Sequence, residues 1–185
     1  MVQLLSFDIG IRNMAYCFVK IANNEINFLN LNKIDLNLNK KANTQTIIDT
    51  TIDFLDSIIT QELEIDINEK LIVLIECQMT SVMRCIQTTI NTYFKMLNRY
   101  ESYNIETCYV SPKHKLNIIN KYQDKIASNS YKQNKIDSIY FTKYLLENTY
   151  KNSEFLNIYT NMKKKDDISD AFLMCIYYYE MIILS

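Results

Sequence analysis

Leu71-Ile72-Val73-Leu74-Ile75 is an unbroken apolar run that ends in Glu76. Lacking the alternation of a half-exposed strand, it reads as a strand buried on both faces. A sheet that contains such a strand must be covered on both sides, and the flanking patterns supply helices for that purpose. Between Thr44 and about Glu62, the residues Ile48, Ile52, Leu55 and Ile59 recur at spacings of four, three and four, which puts one apolar stripe on a helix. After Glu76, the residues Met79, Val82, Met83, Ile86, Ile90, Tyr93 and Leu97 outline a second amphipathic helix. Its other face carries Arg84, Gln87, Asn91 and Lys95.

Three further strand-like segments precede these elements: Val2 to Asp8, Met14 to Ile21 and Glu25 to Ile34. Asn23-Asn24 marks a tight turn between the second and third, so a meander is expected. Ile105 to Val110 reads as a fifth strand, stopped by Pro112. Helical spacing recurs around Leu116 to Ile126 and from Ile136 to Leu146, with a loop at Ser128-Asn129-Ser130. A last helix runs to about Ile183, with Asp166 or Asp167 as its cap and Ala171, Phe172, Cys175, Ile176 and Tyr179 facing inward. Strands followed by alternating helices and strands predict an α/β fold, a mixed sheet flanked by helices, in one domain over residues 1–185.

The chain holds one glycine, one proline and one histidine. Glycine-rich phosphate loops are therefore excluded, as are zinc sites built from several histidines. His114 lies between Lys113 and Lys115, a poor setting for a neutral base. The single glycine, Gly10, follows Asp8 at the end of the first strand, where a side chain would crowd the site or the turn. The five cysteines form no C-x-x-C pair and read as buried free thiols. No apolar run approaches the roughly 18 residues needed to span a bilayer, and no signal-peptide pattern opens the chain. A soluble intracellular protein without a membrane partner is expected.

A net charge of −1 conceals a block structure. Residues 1–110 carry nine basic and thirteen acidic side chains, residues 111–165 eleven lysines against four acids, and residues 166–185 four acids and no base. The middle block also holds six tyrosines interleaved with lysine, a composition suited either to phosphate contacts and base stacking or to a solvated helical face with its tyrosines packed inward. Lysines to hold a polyanion beside carboxylates to hold cations are what a metal-dependent nuclease requires.

Four of those carboxylates stand out. Asp8 ends the first strand, Glu76 ends the central apolar strand, and Asp167 and Asp170 open the last helix at i, i+3 on one face. Clustered, partly buried acids repel one another, and a hard divalent cation is the species that resolves the repulsion. In order and element, these acids and their surroundings resemble the RNase H-like superfamily. Within it the likeness is to RuvC-like Holliday junction resolvases, especially the poxvirus and large-DNA-virus branch and its mitochondrial relatives. The segments that carry the resemblance are Ser6-Phe7-Asp8-Ile9-Gly10-Ile11-Arg12-Asn13-Met14-Ala15, Leu74-Ile75-Glu76-Cys77-Gln78-Met79 and Lys164-Lys165-Asp166-Asp167-Ile168-Ser169-Asp170-Ala171-Phe172.

The resemblance implies a five-stranded sheet, three strands antiparallel and then two parallel, and a Mg²⁺-dependent endodeoxyribonuclease that nicks four-way or branched DNA symmetrically. It implies Asp8, Glu76, Asp167 and Asp170 as catalytic metal ligands for two Mg²⁺ ions, with Mn²⁺ as a substitute and Asp8 bridging both. It implies a catalytic lysine after Pro112, Lys115 or else Lys113, and a homodimer with one site per subunit. A viral enzyme of this type would work in the cytoplasm of an infected host cell. No organic cofactor is expected. The same acids would also serve a ribonuclease H acting on RNA–DNA hybrids, or survive in a non-catalytic binder of branched DNA. An actin-like kinase shares the Asp-x-Gly opening, but the further glycines it needs are missing.

Overall fold

A computed structural model describes residues 1–39, 41–114, 117–118 and 131–184 of the chain. Five strands form one mixed sheet: β1 (Val2–Asp8), β2 (Met14–Ala22), β3 (Glu25–Ile34), β4 (Lys70–Glu76) and β5 (Asn104–Val110). Their order is β3-β2-β1-β4-β5. The first three pair antiparallel, whereas β4 runs parallel to both β1 and β5. The expected architecture is thus the one observed. Asn23 and Asn24 both take positive φ, 53° and 59°, the left-handed pair that a two-residue hairpin turn requires.

The pleat sends alternate side chains of β1 and β4 to opposite faces. Leu5, Phe7, Val73 and Ile75 pack under α1 (Thr44–Gln61) and α2 (Ser81–Tyr100). Phe7 is the aromatic centre of that layer, with ring centroids 6.3 Å from Tyr16, 6.4 Å from Phe54 and 6.0 Å from Phe94. Leu4, Ile72 and Leu74 face the other layer, made by α3 (Tyr131–Tyr144), α4 (Ser153–Asn161) and α5 (Lys165–Tyr178). Phe28 of β3 stacks on Phe172 of α5 at 5.3 Å and meets Phe155 of α4 at 5.6 Å. Wider π-helical turns extend α3 over Leu145–Thr149 and α5 over Tyr179–Ile183.

The thiols expected to be buried are so at Cys17 and Cys175 but only half-buried at Cys77, Cys85 and Cys108, and two further expectations need correction. Met79 is not on the inward stripe of α2: the helix begins at Ser81, and Met79 precedes it with 88% of its surface exposed. Neither Asp166 nor Asp167 caps α5. The cap position is Lys164, in a left-handed conformation with no side-chain bond, and both acids lie in the first turn. α4 has no counterpart in the sequence pattern. The helix expected around Leu116 to Ile126, Asn117 and Ile118 apart, and the Ser128–Ser130 loop lie outside the described residues.

Truncating Phe7, which is fully buried, removes the ring that three others share. Phe7→Ala is expected to lower stability in chemical denaturation by about 3–5 kcal/mol. Leu29→Ala, at a side chain 45% exposed, is expected to change it by less than about 0.5 kcal/mol.

Candidate active site

Because β1 and β4 are adjacent and parallel, with Phe7 opposite Ile75, their C-terminal residues Asp8 and Glu76 emerge side by side. Asp8 continues the row of Leu4 and Ser6, and Glu76 that of Ile72 and Leu74, so both acids belong to the face covered by α3 to α5. Both are largely buried. Asp167 and Asp170, one turn apart at the start of α5, complete a cavity of about 410 Å³. Gln78, Pro112, Lys113, Asn134, Lys135 and Ser138 also line it. The four acids singled out in the sequence are brought together.

The helix that carries two of them is held by buried polar contacts. Ser6, two residues before Asp8, donates its hydroxyl to the carbonyl of Ala171 at 2.7 Å, next to Asp170. The Cys175 thiol approaches the same Ser6 oxygen at 3.2 Å, tying α5 to β1. At the first turn, Ser169 donates to the Lys165 carbonyl at 2.7 Å and lies 2.8 Å from the Tyr159 hydroxyl of α4. Burial pushes the Tyr159 phenol up to about 12, so it stays protonated for hydrogen bonding. Gly10 opens the turn after Asp8, and a Cβ there would stand 2.7 Å from the Asn13 carbonyl oxygen. That is why the one glycine sits where it does.

Glu76 is oriented by residues that the sequence pattern assigned to other tasks. Gln78 donates its side-chain amide to Glu76 at 2.7 Å. Its own backbone is held from α2, the N–H by Gln87 at 2.7 Å and the carbonyl by the Arg84 guanidinium at 3.0 Å. Sequence periodicity placed Arg84 and Gln87 on the outer face of that helix. Their function here is a tertiary contact that periodicity does not encode.

The electrostatics are those of crowded carboxylates beside a few cations. Burial raises the Asp167 pKa, the charges of Asp166 and Asp170 raise it further, and Lys135 and Lys33 only partly offset them. For Asp166 burial acts in the same direction, but the ion pair with Lys135 and the backbone N–H groups of Asp166 and Asp167 together hold the carboxyl below its usual range. Lys135, from α3, was not anticipated as a site residue. Lys113 lines the cavity, whereas Lys115 lies outside the described residues.

The donor set suits a hard divalent ion, since oxygen carboxylates are its preferred ligands and the raised Asp167 favours a cation beside it. Among the described residues, no three His, Cys, Asp or Glu side chains form a ready metal-holding group. Mg²⁺ does not need one, because it takes one or two carboxylates and completes its shell with water and phosphate oxygens.

The family model for the Poxvirus A22 protein matches residues 2–182. No curated protein matches the chain by sequence. Among solved structures, the fold is similar to that of the yeast mitochondrial Holliday junction resolvase Ydc2, with a TM-score of 0.71 and 17% identity over 95% of this chain and 77% of that one. The fowlpox virus Holliday junction resolvase aligns with a TM-score of 0.62 and 22% identity, covering 97% of this chain and 99% of the other. Thermus thermophilus RuvC aligns with a TM-score of 0.54 and 9% identity over 97% and 96% of the two chains.

Gln78→Ala removes the amide that donates to the Glu76 carboxylate while leaving the four acids in place. A roughly 10–100-fold loss of nuclease activity is expected in a metal-titrated assay, the usual consequence of removing an outer-shell partner. Unchanged activity would show that Glu76 needs no such support.

Proposed function

Because the chain belongs to the Poxvirus A22 protein family, we infer that it is a Holliday junction resolvase, a structure-specific endonuclease that hydrolyses phosphodiester bonds in four-way DNA junctions. The observation that carries the reading is the meeting of Asp8, Glu76, Asp167 and Asp170 around one open cavity that Lys113 and Lys135 also line. A fowlpox virus resolvase bound to Holliday junction DNA is among the structures of similar fold.

A phosphodiester entering this cavity adds negative charge to a carboxylate cluster, so cations must lie between them. Asp8 and Glu76, fixed by the sheet, and Asp167 and Asp170, brought by α5, would hold those cations. When bound, two Mg²⁺ ions, or Mn²⁺ in their place, supply an activated water and stabilise the leaving oxygen of an in-line displacement. Gln78 keeps the Glu76 carboxylate aimed into the cavity. A lysine after Pro112 orients the water or offsets charge on the phosphate: Lys115 by family likeness, or Lys113, which lines the cavity. Lys135 rests on Asp166 and adds a second cation there.

A junction has pseudo-twofold symmetry and two strands to cut, which fits a homodimer with one site per subunit. An apolar groove of about 570 Å³ between α1 and α2, lined by Ile48, Ile52, Tyr93 and Met96 among others, is the surface assigned to the second copy. It lies on the sheet face opposite the acids, so pairing there leaves the cavities open. No described helix is long and apolar enough to cross a membrane. The cytoplasm of a virus-infected cell is the proposed place of action.

Asp8→Asn and Asp170→Asn are each expected to reduce junction cleavage by at least about 10²-fold, more than loss of an outer-shell group costs, with junction binding kept. Wild-type cleavage by both variants would remove the site assignment. A four-way junction and an RNA–DNA hybrid assayed side by side separate the resolvase from a ribonuclease H. Met96→Arg is expected to yield a monomer in sedimentation, and an unchanged dimer would place the interface elsewhere.

A further inference from the structure

α3 presents two faces with different tasks. Asn134, Lys135 and Ser138 line the catalytic cavity, while Ile136, Tyr140 and Tyr144 follow one another at intervals of four residues on an exposed stripe. Their surfaces are 51%, 54% and 39% exposed. The rings of Tyr140 and Tyr144 are nearly parallel, 19° apart, with centroids separated by 6.5 Å. Beside them a second cavity of about 410 Å³ is walled by Ile136, Ile139, Tyr140 and Tyr159, with Lys143 and Lys165 also lining it. Its lining is thus an apolar, aromatic surface accompanied by two ammonium groups.

That combination matches one ligand chemistry, a planar base attached to a phosphate. Aromatic faces accept any nucleobase by stacking, and lysines hold the backbone. A protein-binding surface is the poorer match, since lysine is depleted from protein interfaces. The cavity also adjoins the catalytic one: Lys135 lies in the latter on the same helix, and Lys165 begins the helix that carries Asp167. We propose that the outer face of α3 is a nucleotide subsite, where an unstacked base of the junction lies against Tyr140 and its phosphate is held by Lys143 and Lys165. The proposal rests on the resolvase reading for the identity of the DNA, but not for the chemistry of the subsite.

The test uses the full chain with Asp8→Asn to prevent cutting, a four-way junction carrying 2-aminopurine near the branch point, and a 2-aminopurine-labelled single strand. Tyr140→Ala is expected to weaken junction binding by about 5–150-fold, the range of one lost stacking contact, and to abolish the quenching of 2-aminopurine. Tyr140→Trp is expected to restore both. Lys143→Gln is expected to reduce the slope of log K against log salt by about 0.7–0.9, one phosphate contact, while Tyr140→Ala leaves the slope unchanged. Because Tyr140 is exposed, denaturation midpoints should not move. Wild-type affinity and quenching in Tyr140→Ala would overturn the subsite, as would a change of oligomeric state in that variant with DNA binding intact. If the unmodified chain fails to cut junctions yet quenches the labelled single strand through Tyr140, the subsite stands and the resolvase reading falls. If it neither cuts nor binds, both fall.

Discussion

The seating of α5 across β1 is the contact on which the carboxylate cavity depends. Two of the four acids come from the sheet and two from this helix, so the site exists only while the helix holds its axial position. Ser6 and Cys175 set that position from inside the core, and Tyr159 with Ser169 sets it from the α4 side. Each such hydrogen bond contributes about 1 kcal/mol on its own. The apolar packing of Ile168, Ala171, Phe172, Cys175 and Ile176 supplies the larger share of the stability. The polar contacts instead choose one register among several that hydrophobic packing would tolerate.

That rigidity has an electrostatic purpose. Burial raises the Asp167 pKa, and the charges of Asp166 and Asp170 raise it further, so the start of α5 resists full ionisation. Asp8 and Glu76 meet that helix from strand ends whose preceding residues are deeply buried. The net charge near zero combines an acid-lined cavity, with Lys113 and Lys135 also in its wall, with a lysine-rich stretch of sequence over residues 111–165, a composition suited to cations beside a polyanion. Lys135, paired with Asp166 yet lining the cavity, stands at the boundary between the two.

The parts of this layout that follow from local pattern could be read from the sequence. The strands announce themselves as apolar runs, the Asn23-Asn24 hairpin by its turn residues and the first two helices by helical spacing, although α1 buries Ile47, Thr51, Phe54, Leu55 and Ile58, of which only Leu55 belongs to the expected stripe; the four acids stand at element ends. Gly10 was informative because its scarcity made its position meaningful, and the Asn13 carbonyl supplies the steric reason. The helix expected from Ile136 to Leu146 is part of α3, but its facing was not legible because α3 is apolar on two sides, with Phe141 buried and Tyr140 exposed. α4 is short and buries only Phe155 and Tyr159. Met79 continues the numerical spacing of α2 but falls before its first turn, where that spacing has no spatial meaning. Gln78, Arg84, Gln87 and Lys135 acquire their importance from partners distant in the fold, which no local pattern can announce.

The central claim is that this carboxylate cavity, loaded with divalent cations, cuts a branched duplex at paired positions. Its most direct test is cleavage of a four-way junction by the purified protein, with and without Mg²⁺, and with products mapped on all four strands. Mg²⁺-dependent nicks at symmetric positions in two opposing strands are expected. Cleavage that survives chelation of the metal, or cuts confined to one strand, would contradict it.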